Sequence, residues 1–349
     1  MGTYELRHSE TALDENQRSV REAFAAFFAK ESTTAVVRAA EPIGFDARLW
    51  KRLLDMGVAA MGLPASQGGD DATLVDLALI SEEKGRRLAP IPLAGHVTAT
   101  RLLGRSNAPN DLLGAARLGE RVFTVALMTA TKGVPQLVAD AAVATDVLAL
   151  VGDELVAART AIPDKHVSNQ GCTPLAWWDA SDAEELITLA SGPEAIVMYE
   201  QAVREWKLLT AAALVGLADE ALALGIEFAK SRTTLGVPIG SLQGVAYPLV
   251  DAAIDITGAR ILVHKAGWMM QHEPDRRPEL ALMAFDVARR AAVRATTTSV
   301  HVQGGLGFTD EADVGLYFLR AKGWSAVAGD PVTDLARIGA GLVAAATRA

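Results

Sequence analysis

The chain has a single cysteine, Cys172, in 349 residues. No internal disulfide can form, so packing alone must hold the fold. Cys172 lies in G-C-T-P-L with no sequence neighbour that marks a nucleophile, and it reads as a small buried or loop residue. Half the residues are hydrophobic but only 5% are aromatic, and Ala and Leu abound, which favours helices. Basic residues are outnumbered 33 to 42, for a formal net charge of −9, and they adjoin only in pairs such as Arg86-Arg87, Arg276-Arg277 and Arg289-Arg290. A nucleic-acid binder normally presents a basic face, so that class is excluded. No apolar run reads as a membrane span. The N-terminal M-G-T-Y-E-L-R-H-S-E lacks the apolar core of a signal peptide. The expectation is a soluble cytoplasmic protein that binds neither nucleic acid nor membrane.

What is present falls into three parts. The first is helical. Val20, Phe24, Phe27 and Phe28 recur at helical spacing, Asp46 is placed to cap a helix that stops at Gly57, and A-T-L-V-D-L-A-L-I-S-E-E-K-G forms a helix ending near Gly85. A further helix follows P-I-P-L. In the middle, R-V-F-T-V-A-L-M, A-A-V-A-T-D-V-L-A-L-V and E-L-V-A-A-R-T are short and rich in Val, Thr and Ala, with turn signals between them. The last part is helical again. Ser191 to Glu194 has capping-box spacing, and four long apolar helices follow. The expected fold is mostly α with a small β-domain: an N-terminal helical domain (1–120), a shortened middle β-domain (121–190) and a C-terminal four-helix bundle (191–349). No repeat with a period of 20 to 50 residues is visible.

This order resembles the acyl-CoA dehydrogenase family, and four local matches carry the resemblance. L-W-K-R-L-L-D-M-G-V-A-A-M-G-L-P-A-S-Q-G-G and S-E-E-K-G-R-R-L-A-P-I-P lie in the first third; A-K-S-R-T-T-L-G-V-P-I-G-S-L-Q and H-V-Q-G-G-L-G-F-T-D-E-A-D-V-G-L-Y-F-L-R-A-K lie in the last. The resemblance implies FAD, an acyl-CoA substrate and an oligomer. It also implies that Arg232, Thr234 and Gln243, with the turn at Gly304, Gly305 and Gly307, help hold the ADP half of an FAD bound mainly by a neighbouring subunit. The physics agrees, since glycines let backbone N–H groups approach phosphate oxygens and arginine is a permanent planar donor. A solvated helix-end charge for Arg232 and a plain helix stop for the glycines are the alternative readings. His301 stands where the family has Gln, and is placed either to donate to a ribose or phosphate or to sit on the surface. Leu235 replaces the usual Phe.

The departures concern the chemistry. The family removes an α-proton with a glutamate, and aligning the Ala-Lys of the last motif puts Ala328 at the usual position of that base. The alternative family position falls at Trp206, with Glu205 one residue earlier. Glu205 is either a shifted base or an exposed helix glutamate; a one-residue step turns a helix by about 100°. Flavin-contacting strands of the β-domain are hard to find. The resemblance therefore implies the short subunit of an actinobacterial heterotetramer, lacking the base and paired with a longer family member, with fatty or steroid side-chain acyl-CoA as substrate. A self-sufficient homo-oligomer using Glu205 and a flavin-free non-catalytic homologue are the alternatives.

Overall fold

The computed structural model describes residues 12–348. Six helices come first: α1 (Glu15–Glu31), α2 (Thr34–Ala39), α3 (Ala47–Leu54), α4 (Leu74–Arg86), α5 (Leu93–Arg105) and α6 (Asn110–Arg117). Their starts follow from local polar chemistry. Asp14 and Gln17 form a reciprocal capping box on α1, as Thr73 and Asp76 do on α4. The Asp46 carboxylate accepts from the Leu49 N–H at 2.8 Å. Phe24 and Phe28 are buried, with Val20 and Phe27 packed beside them, as their spacing predicts.

The middle of the chain forms β1 (Phe123–Val125), β2 (Gln136–Val138), β3 (Asp146–Val151), β4 (Glu154–Arg159), β5 (Ala176–Trp178) and β6 (Glu185–Ser191). One sheet runs in the order β1-β3-β4-β6, with β1 and β3 parallel and the other pairs antiparallel; β2 and β5 pair separately. The three strands read from the sequence are β1, β3 and β4. The other three, β2, β5 and β6, went unread; β6 exposes most of its length, which hides the apolar pattern of a strand. Alternation on β5 buries Trp178 and leaves Trp177 61% exposed. His96 of α5 joins this unit to the helices. Its Nε2 lies 2.9 Å from the Ala116 carbonyl oxygen, and its Nδ1 accepts from the Phe123 N–H at 3.2 Å. Burial pushes the imidazole down to about 4, so it is neutral, with the proton on Nε2.

The last part comprises α7 (Gly192–Ser231), the hairpin strands β7 (Thr233–Thr234) and β8 (Val237–Pro238), α8 (Gln243–His272), α9 (Leu280–Gln303), α10 (Val314–Ala326) and α11 (Pro331–Arg348). The bundle thus has a fifth helix. Segment 314–326, noticed in the sequence only as a motif, is α10, and it packs on α7 and α9. The capping box expected at Ser191 does not form; the Ser191 side chain makes no cap bond, and Gly192 turns with φ 66° instead. The reading that no run could span a membrane also needs correction. By length and composition α7 could, but 72% of its most apolar window is buried inside the fold.

α4 and α7 touch backbone to backbone. A Cβ on Gly85 would overlap the Ala213 carbonyl, and one on Gly216 would overlap the Glu82 carbonyl. The two glycines are reciprocal, each admitting the other helix. An ionic cluster brackets the crossing. Arg86 binds Glu83 at 3.1 Å and Asp219 at 2.7 Å, and Arg260 of α8 binds Glu82 at 2.9 Å. Gly216→Ala is expected to force the helices apart and cost about 1–3 kcal/mol, the range for an overpacked core. Denaturant unfolding of the variant measures it, and a stability equal to wild type would show that the crossing yields.

Candidate active site

A cavity of about 70 Å³ lies among α4, α7, α10, the residues after β2 and the loop 167–174. Its α7 wall is the stripe Trp206, Leu209, Thr210 and Ala213, the spacing of one helix face. Its α10 side ends with Trp324 and Val327. Of the two sequence positions considered for a base, one lines this space and the other adjoins a residue that does. Trp206 lines it directly, and Ala328 follows the lining residue Val327 and packs against the core. Neither position carries a carboxylate.

Glu205 points elsewhere. It is fully buried, and its carboxylate is gripped by Arg101 Nε at 3.0 Å and Arg105 Nη1 at 2.6 Å, both on α5. Burial by itself would push its carboxyl up, but the Arg105 and Arg101 guanidiniums outweigh it and hold the group below the ordinary glutamate value. The expectation of an exposed helix glutamate is thus corrected: this residue is half of a buried ion cluster. The next residues show the helix turning. Trp206 faces the cavity, and Lys207 reaches Asp334 of α11 at 2.5 and 2.6 Å. Glu205→Gln is expected to leave two arginines without their counter-charge and to lower stability by about 3–5 kcal/mol. Chemical denaturation tests this; unchanged stability would count against a structural role.

Sequence reasoning missed the charged groups on the cavity wall. Among the described residues, Asp140 is the one acid there, joined by Lys84 and Arg320. Burial pushes the Asp140 carboxyl up to about 7 against the pull of Lys84. Burial likewise pushes the Lys84 ammonium down to about 7 against Asp140, with Arg320 adding to the fall. The signal available was a lone Asp set among alanines in V-A-D-A-A and a Lys just before the close-packed Gly85.

The proposed cofactor residues with polar side chains lie on the outside. Arg232 ends α7, followed by the β7–β8 hairpin, and Arg232, Thr234, Gln243 and His301 are all exposed. The turn of the hairpin holds Leu235 at φ 50° and Gly236 at φ 81°, and Leu235 is 93% exposed. Gly304 stops α9 at φ 59°, so a helix stop is part of its role. Gly307 is close-packed, since a Cβ there would lie 2.7 Å from the Val300 carbonyl oxygen. Gly305 is different: a Cβ there would meet nothing within 4 Å, so this chain's own packing does not require glycine. Phe308 beside it is 80% exposed. Beside the glycine turn, Leu224 of α7 packs against the cluster of Val300, Ala312 and Val314. In the described residues no side-chain hydrogen bond joins this turn to the hairpin.

Two family models match the chain: the N-terminal domain of acyl-CoA dehydrogenases over residues 14–105 and the C-terminal domain over 198–342. The acyl-CoA dehydrogenase IpdE2 of Mycobacterium tuberculosis is 30% identical over 328 residues, covering 93% of this chain and 96% of that protein. The chain belongs to the acyl-CoA dehydrogenase family. Its fold is shared by the Tcur3481–Tcur3483 steroid acyl-CoA dehydrogenase (TM-score 0.83, 23% identity, 95% of this chain and 99% of that one). The ChsE4–ChsE5 complex from Mycobacterium tuberculosis shares it too (TM-score 0.81, 24% identity, 95% and 98%). Family members bind FAD. In this chain the exposed arginine and the open glycine suit a phosphate group. The 70 Å³ cavity does not suit a flavin ring, since cofactor pockets run from about 300 Å³ upward.

Proposed function

We propose that this chain is the base-lacking subunit of a mixed acyl-CoA dehydrogenase oligomer, completing the FAD site of a longer family member that carries out α,β-dehydrogenation of an acyl-CoA. The observation that carries this reading lies at the two positions considered for the base: Trp206 lines the cavity, Ala328 directly follows the lining residue Val327, and neither carries a carboxylate. The surface supports it independently. Arg232, Gln243 and the unfilled space at Gly305 are presented outward, beside apolar side chains such as Leu235 and Phe308 that a lone chain leaves in water. Two of the solved proteins with this fold are named as pairs of chains, and one of them as a steroid enzyme. A fatty or steroid acyl-CoA is accordingly the substrate class proposed for the pair.

The test is bound flavin per chain, from visible absorbance and protein assay, for the chain alone and co-purified with a longer, glutamate-bearing family member. Little flavin alone and about one per unlike pair is the expected result. Arg232→Ala in the pair should weaken flavin binding about tenfold or more, the effect of losing a charge-assisted bond, without separating the chains. Full flavin occupancy in the lone chain, or an Arg232→Ala pair that holds flavin normally, would overturn the reading.

One second reading has an observation behind it. A self-sufficient chain would draw its base from Asp140, the acid on the cavity wall, and not from Glu205. Turnover by the lone chain that Asp140→Asn abolishes, with flavin still bound, would establish it; a lone chain that turns over nothing removes it.

A further inference from the structure

The cavity holds polar groups that the fold leaves unsatisfied. The Lys84 ammonium sits 3.6 Å from the centre of the Trp324 ring and hydrogen-bonds to no described residue. Ser81, three residues earlier on the same face of α4, is 2% exposed, and its hydroxyl is buried without a partner. Across the cavity the Thr173 hydroxyl is buried and unpartnered as well. An unmade buried hydrogen bond is costly, and an unmatched buried charge more so. Two buried hydroxyls without partners and an ammonium without a hydrogen bond converge on one space and call for an occupant.

The ammonium without a hydrogen bond selects its sign. Two cations, Lys84 and Arg320, face the space against one acid, Asp140. Arg320 is committed to Glu41, with Nη2 on its carboxylate at 2.9 Å, while Lys84 faces Asp140 and the Trp324 ring without a hydrogen bond. The remaining wall is apolar, with Trp206 and Leu209 on one side and Ile91 and Pro92 on another. The space accepts one compact molecule. We propose that this cavity binds a short aliphatic monocarboxylate, its carboxylate on Lys84 and Ser81 and its tail against Trp206 and Leu209. Asp140 is the group that opposes an anion. Burial has already brought its carboxyl up to about 7, and an arriving carboxylate favours the protonated form further, in which Asp140 donates to the ligand's second oxygen. Cys172 completes the titratable groups on the wall, and burial raises its thiol, so it stays neutral.

The loop 167–174 closes the far side. The Asn169 side chain donates to the Val167 and Thr173 carbonyls at 3.0 and 2.9 Å, and the Trp324 indole N–H donates to the Gly171 carbonyl at 3.2 Å. Trp324 thus links ligand site and loop. This assignment concerns the same cavity as the partner-subunit reading, but it requires neither a partner chain nor flavin bound at the outer edge near Arg232.

The test is a titration of tryptophan fluorescence with sodium butyrate near pH 6.5, at constant ionic strength, on the lone chain and on the co-purified pair. Trp206 and Trp324 lie on the wall and report occupancy. Saturable change with a dissociation constant of about 1 mM is expected, with no saturation by 1-butanol. Lys84→Met should weaken binding at least about tenfold. Lys322→Met, on the exposed face of α10, should not. Ser81→Ala serves as a second variant should Lys84→Met fail to fold, with weakened binding again the expected result. Absence of saturation in wild type, equal binding by the Lys84 or Ser81 variant, or equal binding of 1-butanol would each overturn the proposal. Flavin occupancy, read at visible wavelengths on the same samples, reports the other reading separately.

Discussion

The phase of α7 is the constraint on which the site depends. This helix is enclosed by α4, α5, α8, α9 and α10, so each step of about 100° along it addresses a different neighbour. Glu205 meets arginines on α5, Trp206 meets the cavity, and Lys207 meets Asp334 on α11. None of the three can exchange roles without turning a helix whose backbone is fixed against α4 at Gly216. A glutamate one residue out of register is therefore not a loosely placed base. It belongs to a different part of the molecule.

The interior and the edge of the chain differ in kind. Inside, Trp324, Lys84 and the loop 167–174 leave a cavity with little room, and its charges are set against each other. At the edge, the groups that suit phosphate are presented to solvent with no role in the chain's own packing. Arg232 lies past the last turn of α7, and Gly305 has open space where a side chain would project. Selection for the lone fold explains Gly85, Gly216 and Gly307, each of which faces a backbone carbonyl at close range. It does not explain Gly305.

Much of this was legible from residues and spacing. The order helices, small sheet, helices followed from apolar periodicity and from Val- and Thr-rich runs, and the Asp46 cap and the Phe24–Phe28 stripe are as read. What escaped was decided by contacts distant in sequence. Nothing near Glu205 announces that Arg101 and Arg105, about a hundred positions away, will bury it. Lys84 and Asp140 face a common space only because the β-domain closes over α4. α10 was missed because glycines and motif residues obscured its helical pattern. The cap at Ser191 failed because its side chain makes no such bond where Gly192 bends the chain.

The turn between β7 and β8 carries Leu235 at its tip. A leucine is held there in a left-handed backbone conformation that a residue with a Cβ rarely adopts, and its side chain is almost wholly in water. Both facts work against the isolated chain, one through strain and the other through exposed apolar surface. A feature doubly unfavourable to the monomer persists most easily where something else covers it. Screening variants of this protein for heat resistance in isolation would therefore tend to erase the hairpin first, and would enrich for chains that are comfortable alone and poor at joining anything.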